Sequence, residues 1–393
     1  MPAPHNLPDV EDIRRLIPFA RTDRQREALK LLVEHGSASA VDRLLGNAND
    51  VTSRMVRTVR QYAAMQGHAP EADMVHEVPN PFVVRGVSTF YDRDGNVRGQ
   101  WVKSKLDDER RHEILEAYAE ELASNVVPLR AVAAPVALLD ADLLSVYPQG
   151  DPHAGMYAWA EETGSGFDLK RFEQVSIEAV ERLVAMAPPS ETAIFLDLGD
   201  TTHADNDKAR TPRSGHELDV HGRHLEVIRV NIRVKEHQIA LMLAKHQKVI
   251  IRINPGNHDP VTALMIALML EARYRNEPRV EVITSPNPYW YHLFGQCLIA
   301  STHGHGAKAN DLPLVMATDV PEMWGASKFR HWFVGHLHHK HIKDLTGVTV
   351  EYVRTLASND AHHHLEGYRS PKSMECVTFH RSRGEIGRQC WTV

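Results

Sequence analysis

From about residue 136 onward, five short apolar runs each lead into a motif with side chains that can bind a metal ion. The motifs contain Asp151, Asp200, Asn257, His303 and His336. Helical or loop segments separate the runs, and such alternation indicates an α/β domain of layered sheets and helices. Because strand ends are where a fold gathers functional side chains, we expect the five motifs to lie together.

Each motif alone has an ordinary explanation. The motifs DPH, GD and GNHD use residue types that are common in tight turns, and GHLH could belong to a histidine-rich surface. All of these explanations would have to hold at once, in a fixed order along the chain. A shared site for these side chains is the simpler interpretation.

The ordered series D-x-H, G-D, G-N-H-D, H-G-H and G-H-x-H closely resembles the calcineurin-like metallophosphoesterase superfamily, over roughly residues 136–345. The resemblance implies an α/β fold in which a layered β-sandwich is flanked by helices. Within the superfamily, the chain is similar to the branch with DNA-repair exonucleases and many bacteriophage phosphoesterases. The segments GDTTHADND, ELDVHGR and ETGSGFDLKRFE are also similar to phage members.

Protein phosphatases of the PPP type within this superfamily carry two residues that the chain lacks. They have an arginine shortly after the G-D motif and a glutamate after G-N-H. This chain has Thr201-Thr202-His203 and Asp259 at those places. Activity as a protein phosphatase is therefore disfavoured.

The resemblance also implies two divalent metal ions held by carboxylate, amide and imidazole groups. The ligands would be Asp151, His153, Asp200 and His338 for one ion, and Asp200, Asn257, His303 and His336 for the other. Hydrolysis of a phosphodiester at neutral pH needs a hydroxide nucleophile and neutralisation of phosphoryl charge, which two metals about 3.5–4 Å apart supply. Oxygen and nitrogen donors without thiolate suit Mn, Fe, Ni or Zn, and manganese is our first choice.

Two further residues of the GNHD motif are given catalytic roles by the same resemblance. His258 would protonate the leaving oxygen or stabilise the transition state, and Asp259 would orient its ring. The choice of ligand between His303 and His305 is open from spacing, because strand alternation would point both to the same side. The His-Gly pair of the related motif favours His303.

The loop after Asp200 is rich in His, Asp and Arg. It could line a substrate groove, and His203, Asp205 and Asn206 are its best candidates for contact with substrate. A solvated loop is an equally good explanation of the same composition.

Residues 22–66 carry apolar side chains at helical spacing, with Gly36 and Gly46 as breaks. Three short helices with a tight turn between the second and third are predicted, a helix-turn-helix that resembles the response-regulator and sigma-factor type. The third helix carries Arg54, Arg57 and Arg60 without any acidic residue from 51 to 65, which suits contact with nucleic-acid phosphates. A three-helix bundle used for protein contacts predicts the same periodicity.

The domain boundaries follow from changes in composition. We expect a helix-turn-helix domain at 1–66, a connection at 67–135 and a metallophosphoesterase domain at 136–393. Within the connection, Asp94-Gly95 between two β-prone runs predicts a hairpin, and the charged segment 105–125 predicts an amphipathic helix.

Composition excludes several classes of protein. No window of the 393 residues approaches the roughly 18 apolar residues of a membrane span, and the N-terminus lacks an apolar signal-peptide stretch, so we expect a cytoplasmic protein without a membrane partner. The three cysteines, Cys297, Cys376 and Cys390, are far apart and odd in number, which predicts buried or inert thiols. A net charge of -6 argues against wholesale coating of nucleic acid but allows a local basic face.

Together these features predict a dinuclear-metal phosphodiesterase, and a nuclease acting on DNA is the favoured interpretation. Hydrolysis of small cyclic or linear nucleotides is the alternative, and a non-catalytic DNA-binding regulator is the second alternative. The sequence leaves open the strand preference, endonuclease or exonuclease action, the physiological metal, the oligomeric state and a host or phage origin.

Overall fold

The computed structural model describes residues 10–69, 74–75, 82–91, 97–106, 129, 133–135, 138–365 and 367–393. The chain divides into two compact units, Met1–Glu116 and Ala117–Val393. The predicted hairpin falls in the first unit, together with the helices, rather than in a separate connection.

Helices with one shared core make up the start of the first unit. They are α1 (Val10–Leu16), a 3-10 turn (Ile17–Phe19), α2 (Asp23–His35), α3 (Ala38–Leu44) and α4 (Val51–Met65). A capping box of Thr22 and Gln25 starts α2, and Asp42 Oδ1 accepts hydrogen bonds from the backbone N–H and the hydroxyl of Thr52. Asp42 therefore ties α3 to the first turn of α4, satisfying donors that a helix N-terminus leaves unpaired.

The connections between these helices differ from the prediction. Only Gly36 and Ser37 separate α2 from α3, whereas residues 45–50 separate α3 from α4. The short turn forms because Gly36 adopts the left-handed conformation (φ 64°) and Ser37 at once caps the next helix. The tight turn thus joins the first and second helices predicted from the sequence, not the second and third.

Four strands complete the description of the first unit. Strands β1 (His68–Ala69) and β2 (Met74–Val75) pair antiparallel, as do β3 (Phe82–Tyr91) and β4 (Val97–Leu106). The predicted hairpin is therefore confirmed in its strands. The proposed Asp94-Gly95 turn lies outside the described residues. Of the helix expected at 105–125, only residues 105 and 106 are described, and they are the last two residues of β4.

Two mixed sheets form the second unit. The first has the order β15-β14-β5-β6-β7-β8, with β5 Asp140–Gln149, β6 Ser190–Asp197, β7 Lys248–Ile253, β8 Val280–Ile283, β14 Ser373–His380 and β15 Gly384–Thr392. The second has the order β12-β13-β11-β10-β9, with β9 Trp290–Phe294, β10 Cys297–Thr302, β11 Phe329–Val334, β12 His341–Leu345 and β13 Val348–Tyr352. Strands β5 to β8 run parallel, as do β10, β11 and β13.

The sheets pack face to face, and helices cover their outer faces. Val146 and Leu196 of the first sheet share a buried cluster with Ile299 and Phe333 of the second. The helices are α5 Ala160–Thr163, α6 Leu169–Met186, α7 His224–Lys245, α8 Thr262–Tyr274, α9 Leu312–Asp319, α10 Pro321–Ala326 and α11 Ala361–Leu365. Helices α6 to α8 pack on the first sheet and α9 on the second. The predicted β-sandwich flanked by helices is confirmed.

A buried ion pair fastens the ends of β5 and β6 to α7. Lys235 Nζ lies 2.6 Å from Asp197 Oδ2 and 2.9 Å from Gln149 Oε1, and all three side chains are shielded from solvent. Removing one member of such a pair costs about 3–5 kcal/mol because the other charge is left buried. The pair therefore fixes the strand ends that lead directly into Asp151 and Asp200.

The cysteines form no disulfide with one another. Cys297 and Cys376 are buried thiols, whereas Cys390 on the edge strand β15 is exposed, and all three are free. Every helix among the described residues is too short or too polar to cross a lipid bilayer.

Candidate metal centre

The predicted ligand residues have an unusual backbone conformation. Five of them lie in the left-handed region: Asp151 (φ 45°), His153 (φ 47°), Asp200 (φ 50°), His336 (φ 72°) and His338 (φ 57°). Each residue of this kind costs on the order of 1–3 kcal/mol, and it persists only where the surrounding structure demands it. Among the other described residues, only two that are not glycine share this conformation. Backbone strain is therefore concentrated at the predicted ligand residues that follow the strands of the two sheets.

Asp151, His153 and His338, here called the first group, converge in the buried interior. The two Nε2 atoms of His153 and His338 lie 3.1 Å apart, and His338 Nε2 lies 3.5 Å from Asp151 Oδ1. Both oxygens of Asp151 also accept the backbone N–H of His336 at 2.9 Å, which links the first motif to the last. Ring nitrogens that face each other beside a carboxylate need a proton or a cation between them.

Asp200, His303 and His336 form the second group, and their ligand atoms lie within 4.8 Å of one another. His303 Nε2 lies 3.2 Å from Asp200 Oδ2 and 2.8 Å from Asn257 Oδ1. His303 Nδ1 lies 2.8 Å from the Leu198 carbonyl oxygen, which can only accept. Nδ1 therefore carries the proton, and Nε2 is the atom that can bind a metal together with Asn257.

The electrostatics of these groups favour a bound cation. Burial opposes protonation of His303, but the charge of Asp200 raises the pKa of His303 to about 10. Burial and the nearby charge of His303 lower the pKa of His336 to about 4. Burial also lowers the pKa of His153 well below its usual range. The lowered pKa values keep His336 and His153 neutral, as metal ligands must be, and the raised pKa of His303 reflects the attraction of the buried carboxylates for positive charge at this place.

The structure distinguishes His303 from His305. His303 is buried within the second group, whereas His305 is exposed, with its ring centroid 5.2 Å from that of His303. Strand β10 ends at Thr302, and Gly304 then takes a φ of 111°, so the alternation of a strand no longer applies. This is why the two histidines do not point to the same side.

His258 lies beside both groups, and a backbone carbonyl orients it. Its backbone N–H donates to Asp200 Oδ1 (2.8 Å), and its ring Nε2 lies 4.0 Å from Asp200 Oδ2. Its Nδ1 lies 2.9 Å from the carbonyl oxygen of His203. That carbonyl, rather than the predicted Asp259, therefore holds the ring.

Asp259 links two turns instead of orienting a ring. Its oxygens accept the backbone N–H groups of Thr202 (2.8 Å) and Gly256 (3.2 Å), and the side chain is fully buried. Burial and the charge of Asp200 raise the pKa of Asp259 well above its usual range. These contacts give Asp259 a positioning role, in which it holds the backbone around Asp200, in place of the predicted catalytic role.

The three substrate-contact candidates lie in different environments. His203 is buried, with its Nδ1 3.1 Å from His153 Nδ1 and its ring stacked on that of His258 at 5.2 Å. Asp205 Oδ1 accepts the N–H groups at the start of α8, including that of Thr262 (2.8 Å). Asn206 is exposed and its Oδ1 accepts the N–H of Lys208, which stabilises the loop. The structure gives Asp205 and Asn206 structural contacts, and substrate contact stays a prediction.

One cation near the first group has no signal in the sequence. Lys372 Nζ donates to Asn359 Oδ1 at 2.8 Å. Burial lowers the pKa of Lys372 to about 8, against the opposing charges of Asp360 and Asp151. A lone lysine in a polar loop is indistinguishable from a surface residue until the fold brings it close to Asp151.

Gly256 is required by close approach. A Cβ there would lie 2.0 Å from Asp200 Oδ1 and 2.2 Å from the Asp200 backbone nitrogen. The φ of Gly256 is outside the left-handed region, so a sharp turn is not the reason for the glycine. The absence of a side chain lets the third motif pack directly on Asp200.

Comparison with known proteins adds only likenesses of shape. The chain matches no model of a known protein family and no curated protein sequence. Similar solved structures include an archaeal phosphodiesterase, with 12% identity, a TM-score of 0.31, and 64% of this chain and 99% of that chain covered. A predicted phosphoesterase of Streptococcus pneumoniae shows 11% identity, a TM-score of 0.27, and coverage of 64% and 98%. Zinc-bound Vps29 of Entamoeba histolytica shows 11% identity, a TM-score of 0.27, and coverage of 63% and 98%. TM-scores this low carry no argument about activity.

The substitution Gly256→Ala tests whether close approach at Asp200 builds the centre. We expect it to weaken manganese binding about tenfold or more, because the added Cβ must displace the Asp200 carboxylate and backbone. Manganese retained after dialysis and the thermal unfolding curve would be measured together. The control is Gly306→Ala, whose Cβ would meet only the Tyr289 hydroxyl at 3.5 Å. Equal manganese binding by the two variants would contradict the account.

A second prediction separates the two histidines of the THGHG segment. His303→Ala should lower the manganese bound per chain by one ion, because the second group loses its central nitrogen. His305→Ala should bind as much manganese as the wild type, since its ring lies outside the group. Metal analysis after gel filtration measures the number of manganese ions bound per chain. A loss of metal in His305→Ala but not in His303→Ala would reverse the assignment.

Proposed function

We propose that the chain is a metal-dependent phosphodiesterase acting on nucleic acid, with DNA as the favoured substrate. The observation that carries this proposal is the adjacency of the first and second groups. Both oxygens of Asp151, in the first group, accept the backbone N–H of His336, in the second, at 2.9 Å, and Asp151 Oδ1 lies 3.8 Å from Nδ1 of His303. Two ligand sets that touch in this way suit a pair of ions acting on one phosphate.

The donors of both groups fit divalent transition metals. They offer carboxylate oxygen and imidazole nitrogen, with Asn257 adding an amide oxygen and no thiolate taking part. This set favours manganese, with iron, nickel and zinc as alternatives. Two bound ions would activate a nucleophile at neutral pH and neutralise charge on the phosphoryl oxygens.

His258 would deliver a proton to the leaving oxygen. Its Nδ1–H is directed to the His203 carbonyl, so the free ring position, Nε2, faces the Asp200 side of the centre. A carbonyl accepts the same hydrogen bond whether the ring is neutral or charged, and the ring keeps its orientation through the proton transfer. His203 also stacks on this ring, which restricts it further.

The helical unit supports a nucleic-acid substrate. The apolar side of α4, including Val56 and Val59, is buried in the core of that unit. Arg54 and Arg57 are exposed on the opposite side, and Arg60 is half-buried. Arginines on an exposed helix face bind phosphates without reading sequence, which is sufficient for a nuclease.

A manganese-dependent assay tests the activity on single-stranded DNA, duplex DNA, RNA, cyclic dinucleotides and bis(p-nitrophenyl) phosphate. Asp200→Asn should abolish turnover on every substrate that the wild type hydrolyses. His258→Ala should lower kcat on DNA about 10²–10⁴-fold, as expected for loss of a general acid. It should lower kcat on the chromogenic diester much less, because p-nitrophenolate leaves without a proton.

The control for these variants is His216→Ala, in which an exposed histidine of the neighbouring loop is removed. Hydrolysis confined to small nucleotides would replace nucleic acid by that substrate class. Identical behaviour of Asp200→Asn and the wild type on every diester would refute the enzymatic proposal and leave a binding function.

The arginines of α4 give a separate prediction. The double variant Arg54→Gln/Arg57→Gln should weaken DNA binding and reduce the slope of log K against log salt by about 1–2, since each phosphate contact contributes about 0.9. The double variant Lys30→Gln/Arg43→Gln removes two exposed charges from α2 and α3 and serves as the control. Equal salt slopes for both double variants would show that α4 does not contact phosphates.

A further inference from the structure

Two large aromatic side chains follow the first motif and face solvent. Tyr157 and Trp159 are 43% and 52% exposed, whereas Met156 and Ala158 beside them are buried. The segment alternates between inward and outward positions as an extended chain does. Both outward positions are therefore occupied by rings, although polar residues would cost less there.

The backbone that presents these rings is held on both sides. Tyr157 donates its N–H to the Asp219 carbonyl (2.9 Å), and Ala158 exchanges two hydrogen bonds with Phe167 (2.9 and 3.0 Å). The Trp159 carbonyl accepts the N–H and the hydroxyl of Thr163, both at 3.0 Å. A rigid backbone removes much of the entropy that a loop would lose on binding a ligand.

The backbone that carries Tyr157 is close to the metal ligands. Met156 donates its N–H to the His153 carbonyl (3.0 Å), which closes a turn between these residues. Such a turn keeps its first and last Cα atoms within about 7 Å, so the Cα of Tyr157 lies within about 11 Å of that of His153. On the other side, Ser165 after α5 contacts Ser358 (3.1 Å), beside the Asn359 that holds Lys372.

We propose that Tyr157 and Trp159 form a stacking platform for bases of a single nucleic-acid strand whose phosphate lies at the metal centre. This inference rests on the proposed function and adds a base-binding subsite to it. The His221 ring is stacked against that of Tyr157, with centroids 6.4 Å apart and an interplanar angle of 20°, which restricts the Tyr157 ring. Every base presents an aromatic face, so the subsite accepts a strand of any sequence.

The charges around the platform favour bases over other occupants. Glu161 and Glu162, two and three residues after Trp159, are exposed. Carboxylates keep phosphate groups and anionic lipid headgroups away from the rings, while the uncharged face of a base can stack there. The strand would then place its phosphates toward Lys372 and the metal ligands, and its bases on the platform.

Binding of two matched strands to the full chain tests the platform. The probes are a fluorescent single strand of phosphorothioate DNA and an abasic strand of equal length, measured by anisotropy with Mn²⁺ at fixed salt. Tyr157→Ala and Trp159→Ala should each weaken the base-bearing strand about 5–150-fold and leave the abasic strand within about twofold. Tyr157→Phe should bind like the wild type because the ring remains.

Leu314→Ala, which trims an exposed apolar side chain on α9, should bind both strands like the wild type. Equal weakening of both strands by the alanine variants, or no weakening of either, would overturn the platform. A wild type that binds the two strands with equal affinity would overturn it as well. Hydrolysis of bis(p-nitrophenyl) phosphate by the alanine variants measures the activity of the metal centre independently of base binding. Failure of the platform and failure of the proposed activity are therefore distinguishable.

Discussion

The buried Asp200 carboxylate is the interaction on which the rest of the centre depends. It accepts a hydrogen bond from the backbone N–H of His258, lies 3.2 Å from His303 Nε2, and packs against the position where Gly256 lacks a side chain. Burial works against its charge, yet the nearby charge of His303 holds its pKa well below the usual range. A buried anion requires compensation, which the surrounding imidazoles provide and to which a metal ion held by the two groups would add.

The sandwich supplies the rigidity that this arrangement needs. Asp200 reaches the site at the end of β6, whose last residue, Asp197, is paired with Lys235 of α7. His303 arrives from the other sheet at the end of β10, and its orientation is fixed by the Leu198 carbonyl of the first. Each sheet thus orients a ligand for the other. The left-handed backbone of the ligand residues is stable because both sheets constrain it.

Much of this could be predicted from the sequence, for physical reasons. Apolar runs that end in ligand residues identify strands, and strand ends converge, so residue types and order sufficed to predict both groups. The side to which a side chain points beyond the end of a strand could not be predicted. A strand pattern puts His305 on the same side as His303, but the chain turns at Gly304. The role of Asp259 depended on backbone donors 57 residues away at Thr202, which no local pattern reveals.

The central claim is that the two groups hold two metal ions that share Asp200. The most direct measurement is anomalous diffraction at the manganese edge from crystals of the full chain grown with Mn²⁺. We predict two peaks about 3.5–4 Å apart. One should be bound by the first group and the other by His303 and His336, with Asp200 bridging them. A single peak, or peaks that contact neither group, would contradict the account.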